Sequence, residues 1–463
     1  MSRPNDMSGS GDVRDWRRAL VYGLGLSGTA AARLLRRRGV EVLGVDRRPA
    51  EALDLAGLAD DPGVSLALGA EPVELPTPVD GAVVSPGVPL DRPLLEAVRA
   101  LGRPVLAEVE LAFRFLDGTL IGITGSNGKS TTTALTGALL AGEGAGVEVC
   151  GNIGIPLSAC VEGPPGRIFV TELSSFQLET VSTLRPRAAA WLNLSPDHLD
   201  RHVDLEVYAR AKAALFAYQE PDDVAILNAD DPWVAAVATR ARRRFFSRRQ
   251  RVDDGCYFED GSVFEVAPES GPVELFSQRD LRLPGVHNLE NAMAAALLAR
   301  AVGAGIEPLR RRMTTFTGLP HRLELVAERS GVAWYDDSKG TNIGATLRSL
   351  ESFRDGSVLL ILGGRNKGGD PRELREMVGA KVRQAYYVGE AAGEFERALR
   401  DVVPGERAET LPRAVAAAAA VARSGEAVVL SPACASFDQY ENFHHRGEHF
   451  QSLVAALEGE GVG

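Results

Sequence analysis

One stretch constrains this chain more than any other. The apolar run Leu120–Thr124 enters the turn GSNGKS (125–130) and leaves it through a threonine-rich helix start that reaches Leu140. Strand, glycine turn and helix in that order make a phosphate loop. Gly125 and Gly128 let the backbone N–H groups around Ser126 and Asn127 turn toward phosphate oxygens. Lys129 adds a point charge, the helix N-terminus adds its dipole, and the Ser130 or Thr131 hydroxyl can hold Mg2+. The strict GxxxxGK spacing is not met: Gly122 is one place early and Ile123 stands where the first glycine belongs. Such a loop needs a buried parallel strand behind it, so an α/β chain is expected.

The same alternation recurs along the sequence. Strands are expected at 19–22, 41–45, 81–84, 120–124, 168–171, 188–192, 223–227, 358–362, 385–388 and 427–430, with helical runs between them. At 463 residues the chain has room for about three domains. The expected layout is an N-terminal Rossmann-like domain (1–107), a central P-loop domain on a parallel sheet (108–318) and a C-terminal Rossmann-like domain (319–463), with GLPHR as the second joint. Gly23, Gly25 and Gly28 form GxGxxG, and Asp46 follows 18 residues after Gly28. That is the dinucleotide fingerprint, and alone it would suggest a nicotinamide-dependent dehydrogenase. A dehydrogenase has no need of GSNGKS, so the pair points to one domain for a nucleotide-bearing substrate and another for ATP. Glu172 and His198 follow strand-like runs of the central block, where α/β folds place chemistry, and are candidate Mg2+ ligands. The HxxxH pairs His198/His202 and His445/His449 lack the glutamate of HExxH and read as polar loop or helix surface.

Charge and composition narrow the partners. Lys+Arg 51 against Asp+Glu 62 gives −11, which disfavours a general polyanion binder. The arginine-rich stretch 240–251, with Phe245 and Phe246 inside it, reads as a solvated edge of the central domain; a nucleic-acid module is the rival. No nucleic-acid partner is expected. The apolar run Ala414–Ala422, bounded by Arg413 and Arg423, falls well short of the ~20 residues that cross a bilayer, and the first eighteen residues hold no apolar core. A cytoplasmic monomer with no membrane insertion is expected. Cys150, Cys160, Cys256 and Cys434 show no CxxC spacing and read as free thiols.

Taken in order, GITGSNGKSTT, GNIGIPL, ELSSFQLE, NLSPDHLDRH, YARAKAALF, NADD, PGVHNLENAMAA, GLPHRLE, DDSKGTN and LSPACASFDQYENFHHRG make the chain resemble the Mur ligases of peptidoglycan synthesis over nearly its whole length. GLGLSG and SPACASFDQ bring it nearest to the members that add D-glutamate. A sister ligase adding another amino acid, or a folate polyglutamate ligase, is the alternative. The resemblance implies ATP-driven ligation of D-glutamate to UDP-N-acetylmuramoyl-L-alanine through an acyl phosphate and a tetrahedral intermediate, with two Mg2+ ions.

It also implies roles. Lys129 holds the ATP phosphates within the loop Gly125, Ser126, Asn127, Gly128, Ser130 and Thr131. Ser130, Glu172, His198 and a carbamylated Lys212 serve the metals, although Lys212 read by itself is a helix-surface lysine. Asn288 and Asn291 lie near adenine, Asp337 at the ribose, and Arg322 and Lys339 at the phosphates. Thr341, Lys367, Ser436, Phe437 and Phe443 hold D-glutamate. Leu26, Ser27, Asp46, Arg47, Arg48 and Ser85 serve the UDP end, with Asn152 and Gln177 along the sugar and diphosphate. Because these groups belong to different expected domains, closure about Gly318–Pro320 is implied, carrying Arg322 and Lys339 toward Lys129. Three departures from relatives stand out: Arg365 and Asn366 ahead of Lys367, where some carry an acid; Gly340 for alanine, expected to be neutral; and Arg47 for a small hydroxyl residue.

Overall fold

The computed structural model describes residues 12–72, 74–142, 144, 146–197, 201–283 and 285–457. Among these residues the strands form three sheets, and the chain divides into two compact units. The first unit holds the described residues of 1–194, 198–275 and 293–310, and the second those of 195–197, 276–292 and 311–463.

The first unit carries two of the sheets. Strands β1 (Arg18–Tyr22), β2 (Glu41–Asp46), β3 (Val64–Leu68), β4 (Gly81–Val84) and β5 (Val105–Ala107) lie in the order β3-β2-β1-β4-β5, all parallel. Strand order reverses between β1 and β4, which opens a crevice at their carboxyl ends. The second sheet is built from β6 (Gly118–Thr124), β7 (Val147–Gly151), β8 (Arg167–Glu172), β9 (Ala188–Trp191), β10 (Val224–Asn228), β11 (Arg242–Ser247), β12 (Gly255–Glu259), β13 (Ser262–Ala267) and β14 (Ser270–Ser277). Its order is β14-β13-β12-β11-β10-β9-β6-β8-β7. β6 has β8 on one side and β9 on the other, both parallel to it. Its residues Leu120, Ile121 and Ile123 are at most 2% exposed, as a strand covered on both faces requires.

The arginine-rich stretch is not a solvated edge. β11 lies inside the sheet, parallel to β10 and to β12. Two of its three arginines pair with acids: Arg242 with Asp254 (2.7 Å), and Arg244 with Asp254 and Glu265 (3.0 and 2.9 Å), while Arg243 is exposed and lies over the Phe245 ring. Arg240 and Arg251, on either side of the strand, pair with Glu220 (3.0 Å) and Glu259 (2.6 Å). The acids that neutralise the run come from other segments, so the run looks unbalanced only when read alone.

The two sheets of this unit share one apolar core that includes Val21 and Leu34 with Leu120, Phe169 and Leu215. Two buried carboxyls on the helix Glu108–Arg114 join them. Glu110 accepts the N–H groups of Ser182 (3.0 Å), Thr183 (3.1 Å) and Leu184 (3.0 Å) and a bond from Arg114 (2.9 Å). Glu108 accepts the Ser158 N–H at 2.6 Å through Oε1, while its buried Oε2 has no hydrogen-bond partner. Burial pushes Glu108 up to about 7 despite the bonds from Ser158. The folded state therefore resists losing this proton, and stability is expected to fall as pH rises from ~4.5 to ~7. Glu108→Gln removes that loss. Urea midpoints should show the variant gaining about 2–3 kcal/mol over wild type between pH 5 and 8.5. An unchanged difference would show that the carboxyl ionises freely.

The second unit contains β15 (Glu324–Arg329), β16 (Val332–Asp336), β17 (Val358–Gly363), β18 (Val382–Val388), β19 (Gly405–Glu409) and β20 (Ala427–Leu430), in the order β15-β16-β20-β17-β18-β19. β15 and β16 are antiparallel; the remaining pairs are parallel. β17 and β20, wholly buried, flank the point where strand order reverses. The helix Val286–Ala301 is shared: residues up to 292 group with the second unit and those from 293 with the first. Among the described residues no helix is long and apolar enough to cross a membrane.

Candidate functional site

Each sheet presents chemistry at its carboxyl edge. At the β1/β4 crevice lies a cavity of about 720 Å³ lined by Leu26, Ser27, Asp46, Arg47, Arg48 and Ser85, all expected from the sequence, and also by Tyr22, Glu71 and Arg92. Leu26 is 74% exposed at the first turn of its helix, an apolar face offered to a flat ligand. Asp46 is less available than the fingerprint suggests. Its Oδ2 accepts the Leu24 N–H (2.7 Å) and Arg48 Nη2 (2.8 Å), and its Oδ1 accepts Arg48 N (2.9 Å) and Nε (3.0 Å). Burial pushes Asp46 up, but the hydrogen bonds and charge of Arg48 outweigh it and hold the carboxyl at about 2. Asp46 therefore fixes the loop that carries Arg47 and Arg48. Arg47 and Arg92 approach Glu71 at 3.4 and 3.7 Å. Glu71 and Arg92 carry no sequence signal of their own, lying outside any motif. The glycines here are obligatory: a Cβ on Gly28 would lie 1.7 Å from the Gly23 carbonyl oxygen.

The phosphate loop follows β6. Gly128 adopts φ +83 and opens the helix Lys129–Leu140, in which Ser130 and Thr131 are 5% and 7% exposed. Lys129 Nζ donates to the carbonyls of Gly125 (2.8 Å) and Ser126 (2.9 Å). Lys212 is buried, which corrects its reading as a surface lysine; Nζ donates to the same Gly125 carbonyl at 2.8 Å and lies 4.4 Å from the Tyr208 ring centroid. Two ammonium groups thus share one acceptor. Asn193, at the end of β9, clamps the loop: its Oδ1 accepts the Asn127 N–H (2.9 Å) and its Nδ2 donates to the Asn127 carbonyl (3.1 Å). Sequence reasoning passed it over, though it opens the motif NLSPDHLDRH.

Glu172 ends β8 in register with Ile123, beside the loop. Its Oε1 accepts from Asn152 Nδ2 at 2.8 Å; its buried Oε2 has no hydrogen-bond partner, nor has the buried Thr124 hydroxyl. A buried carboxyl oxygen left so suits a hard divalent cation. His198 lies outside the described residues. His202 is not a surface residue: it is 2% exposed, with Nε2 2.9 Å from Ser175 Oγ and its ring stacked on Phe176. Gln177 has its Oε1 committed to the N–H and hydroxyl of Ser174 (2.9 Å each), capping its own helix.

In the second unit, Arg322 lies between two non-glycine residues with positive φ, His321 (φ 62) and Leu323 (φ 48). That strained turn is held at His321, whose Nδ1 lies 2.7 Å from Asp336 and whose N–H donates to Glu324 at 2.8 Å. His321, Glu324 and Asp336 could each offer one atom to a metal ion. The Asp336 hydrogen bond raises His321 above the usual imidazole value. Asp337 is buried: Oδ2 accepts from Ser349 (2.6 Å) and Ser431 (2.7 Å), Oδ1 from Leu323 N (3.2 Å), and burial pushes the carboxyl up to about 6. Lys339 Nζ lies 4.0 Å from the Phe443 ring centroid, and Lys367 Nζ 3.5 Å from Thr341 Oγ1. Ser436 is buried and Phe437 is 63% exposed. Asn288 and Asn291, both buried, are linked by a 3.1 Å side-chain bond. Arg446, expected by nothing in the sequence, is buried and donates to the Ser338 hydroxyl (2.9 Å), the Ser338 carbonyl (2.8 Å) and the Cys434 carbonyl (3.2 Å), tying both loops together.

Gly340 packs against Asp337 and Ser431. A Cβ there would meet Asp337 Oδ2 at 2.6 Å and Ser431 Oγ at 2.9 Å. Gly340→Ala is expected to displace the Asp337 carboxyl from Ser431 and lower the thermal midpoint by several degrees, the scale of one charged hydrogen bond. Thermal denaturation checks this, and an unchanged midpoint would show that the loop yields.

The comparisons with known proteins agree along the chain. Residues 17–107 match the Mur ligase MurD-like N-terminal domain, 123–299 the Mur ligase middle domain and 321–434 the Mur ligase glutamate ligase domain. The UDP-N-acetylmuramoylalanine--D-glutamate ligase of Acidobacterium capsulatum is 44% identical over 449 residues, covering 96% of this chain and 97% of that one. The protein of the same name from Anaeromyxobacter dehalogenans is 46% identical over 449 residues, covering 94% and 97%. Among solved structures, a pseudomurein peptide ligase type C from Methanothermus fervidus superposes with TM-score 0.61 at 16% identity, over 96% of this chain and 100% of that one. The MurF ligase of Thermotoga maritima in complex with ADP gives TM-score 0.59 at 16% identity, over 98% and 100%. At those identities the structures speak for the three-domain α/β fold.

Proposed function

The chain belongs to the Mur ligase family, and from that premise we infer that it is the ATP-dependent ligase joining D-glutamate to UDP-N-acetylmuramoyl-L-alanine in peptidoglycan synthesis, forming ADP and phosphate. A carboxylate is a poor acyl donor until one of its oxygens becomes part of a leaving group. Transfer of the terminal phosphoryl group of ATP to the alanyl carboxylate creates that leaving group. The D-glutamate amine then attacks, a tetrahedral intermediate forms, and phosphate departs. Anions meet at both steps, so the protein has to offset accumulating negative charge.

The residues divide this work. The β1/β4 cavity takes the uridine end, with Leu26 against the base and the Asp46-braced arginines toward the diphosphate. Asn152 and Gln177 serve the sugar side. Lys129, exchanging its loop carbonyls for phosphate oxygens, grips the triphosphate with the helix N-terminus behind it. Ser130, Glu172, His198 and Lys212 would hold the metals, and the orphaned Glu172 Oε2 fits that use. Bound Mg2+ supplies charge neutralisation of the phosphates. Lys212 serves only as a carbamate, formed when its neutral amine bonds to CO2 and releases a proton. In the second unit Asn288 and Asn291 serve the adenine and Asp337 the ribose through Oδ1. Arg322 and Lys339 serve the phosphates. Lys367, Thr341, Ser436, Phe437 and Phe443 hold D-glutamate, with Lys367 on its side-chain carboxylate.

The observation that carries this reading is the phosphate loop, on which Lys129 and Lys212 converge at one carbonyl. The test is phosphate release with ATP and UDP-N-acetylmuramoyl-L-alanine, with D-glutamate, L-alanine, a diamino acid or folate as acceptor. Release with a peptide-bonded product is expected for D-glutamate alone. Equal turnover with another acceptor would replace this substrate, and no ADP with any of them would end the reading.

A further inference from the structure

The turn that carries Lys367 is latched by side-chain contacts to a helix and to the loop just before it. Asn366 closes the turn on itself: its Oδ1 accepts the Gly369 N–H at 3.1 Å, and its Nδ2 donates to the Gly369 carbonyl at 2.9 Å. The same Nδ2 donates to both carboxylate oxygens of Glu394, at 3.0 and 3.1 Å. Glu394 lies in the first turn of the helix Ala392–Leu399. One residue earlier, Arg365 grips Glu390 through two N–H groups (3.1 and 2.9 Å). Its backbone exchanges hydrogen bonds with Ala435 (2.9 and 3.0 Å), the residue before Ser436. The turn is thus braced on the helix side and on the Ser436 side, and Lys367 projects from it, exposed, toward Thr341.

We propose that Asn366 is a positioning residue for D-glutamate: its amide, read by the Glu394 carboxylate, sets the reach of Lys367, and position 366 has to be a neutral donor because Glu394 faces it. The proposal rests on the reading that Lys367 binds the side-chain carboxylate of the acceptor. An aspartate at 366 removes both N–H donors and places two carboxylates about 3 Å apart. Asn366 is half-buried and Glu394 exposed, so the turn can open without unfolding the domain. Lys367 is then drawn to the new anionic pair as its counter-ion and away from the substrate. Such a change removes binding made equally in ground and transition states, which raises KM and spares kcat.

The experiment is steady-state kinetics on the full-length enzyme with Asn366→Asp, Glu394→Gln, the double variant and Lys367→Ala, with thermal midpoints for each. Asn366→Asp is expected to raise KM for D-glutamate about tenfold, leaving kcat and the KM values for ATP and the UDP-linked substrate within about twofold. Glu394→Gln, whose amide oxygen still accepts from Asn366, should stay near wild type. The double variant should recover most of the loss, because an aspartate opposite an amide regains a hydrogen bond. A general structural role would instead lower kcat and the thermal midpoint together and would not be rescued. Either that pattern or an unchanged KM in Asn366→Asp overturns the proposal. If Lys367→Ala itself leaves the D-glutamate KM unmoved, the assignment of Lys367 falls and the proposal falls with it.

Discussion

Lys129→Ala should lower ADP formation by about 10³-fold or more, the scale expected for removing a preorganised cation from a phosphoryl-transfer site. That factor corresponds to about 4 kcal/mol of transition-state stabilisation. The loss should be chemical and not structural. Lys129 occupies the first position of its helix, where alanine is an equally good helix former, and the αL turn at Gly128 stays intact. The two carbonyls it now satisfies, on Gly125 and Ser126, belong to a loop that Asn193 clamps independently. The thermal midpoint is therefore expected to move by only a few degrees. The β1/β4 cavity proposed for the uridine end lies at the edge of a different sheet, so calorimetric affinity for the UDP-linked substrate should be unchanged. Retention of more than a tenth of the wild-type rate would show that the helix N-terminus and the metals carry the phosphate alone.

Much of the site was legible because its residues are tied to backbone geometry that leaves a local signature. GSNGKS demands glycines, Gly28 demands the absence of a side chain, and both follow apolar strands visible by composition. What escaped the sequence depends on partners far along the chain. Arg242 and Arg244 of β11 look unbalanced until Asp254 and Glu265 fold beside them, as does Arg251 until Glu259 joins it, and β12–β14, half-polar, gave no periodicity to expect. His202 reads as surface until Phe176 and Ser175 cover it. Asp46 and Gln177 also spend carboxylate or amide oxygens on their own loops, as polar side chains near turns and caps commonly do, and these bonds too are invisible in the sequence. Arg446 and Asn193 work by holding other loops in place, a role with no residue-type signature.

The second large effect is expected at Lys212. A lysine ammonium cannot ligate a cation, whereas a carbamate oxygen can, so the two roles open to a buried lysine make opposite predictions for arginine. Lys212→Arg keeps a positive donor able to reach the Gly125 carbonyl and cannot be carbamylated by CO2. If Lys212 acts as a cation, most activity survives. If it acts as a carbamate, activity falls about 10²–10³-fold in Lys212→Arg and Lys212→Met alike, the cost of losing a ligand that orients catalytic metal. A carbamate on Lys212 would set an anion opposite Lys129, whose Nζ donates to the same Gly125 carbonyl. The dependence on CO2 provides a control within the wild-type protein. Enzyme held in CO2-depleted buffer should lose activity and regain it with bicarbonate, because carbamylation bonds dissolved CO2 to the neutral amine and releases a proton. Wild type labelled with ¹³C-bicarbonate should show one carbamate carbon resonance that Lys212→Arg lacks. Full activity in Lys212→Arg, or wild-type activity indifferent to CO2, would leave Glu172, Ser130 and His198 to hold the metals without it.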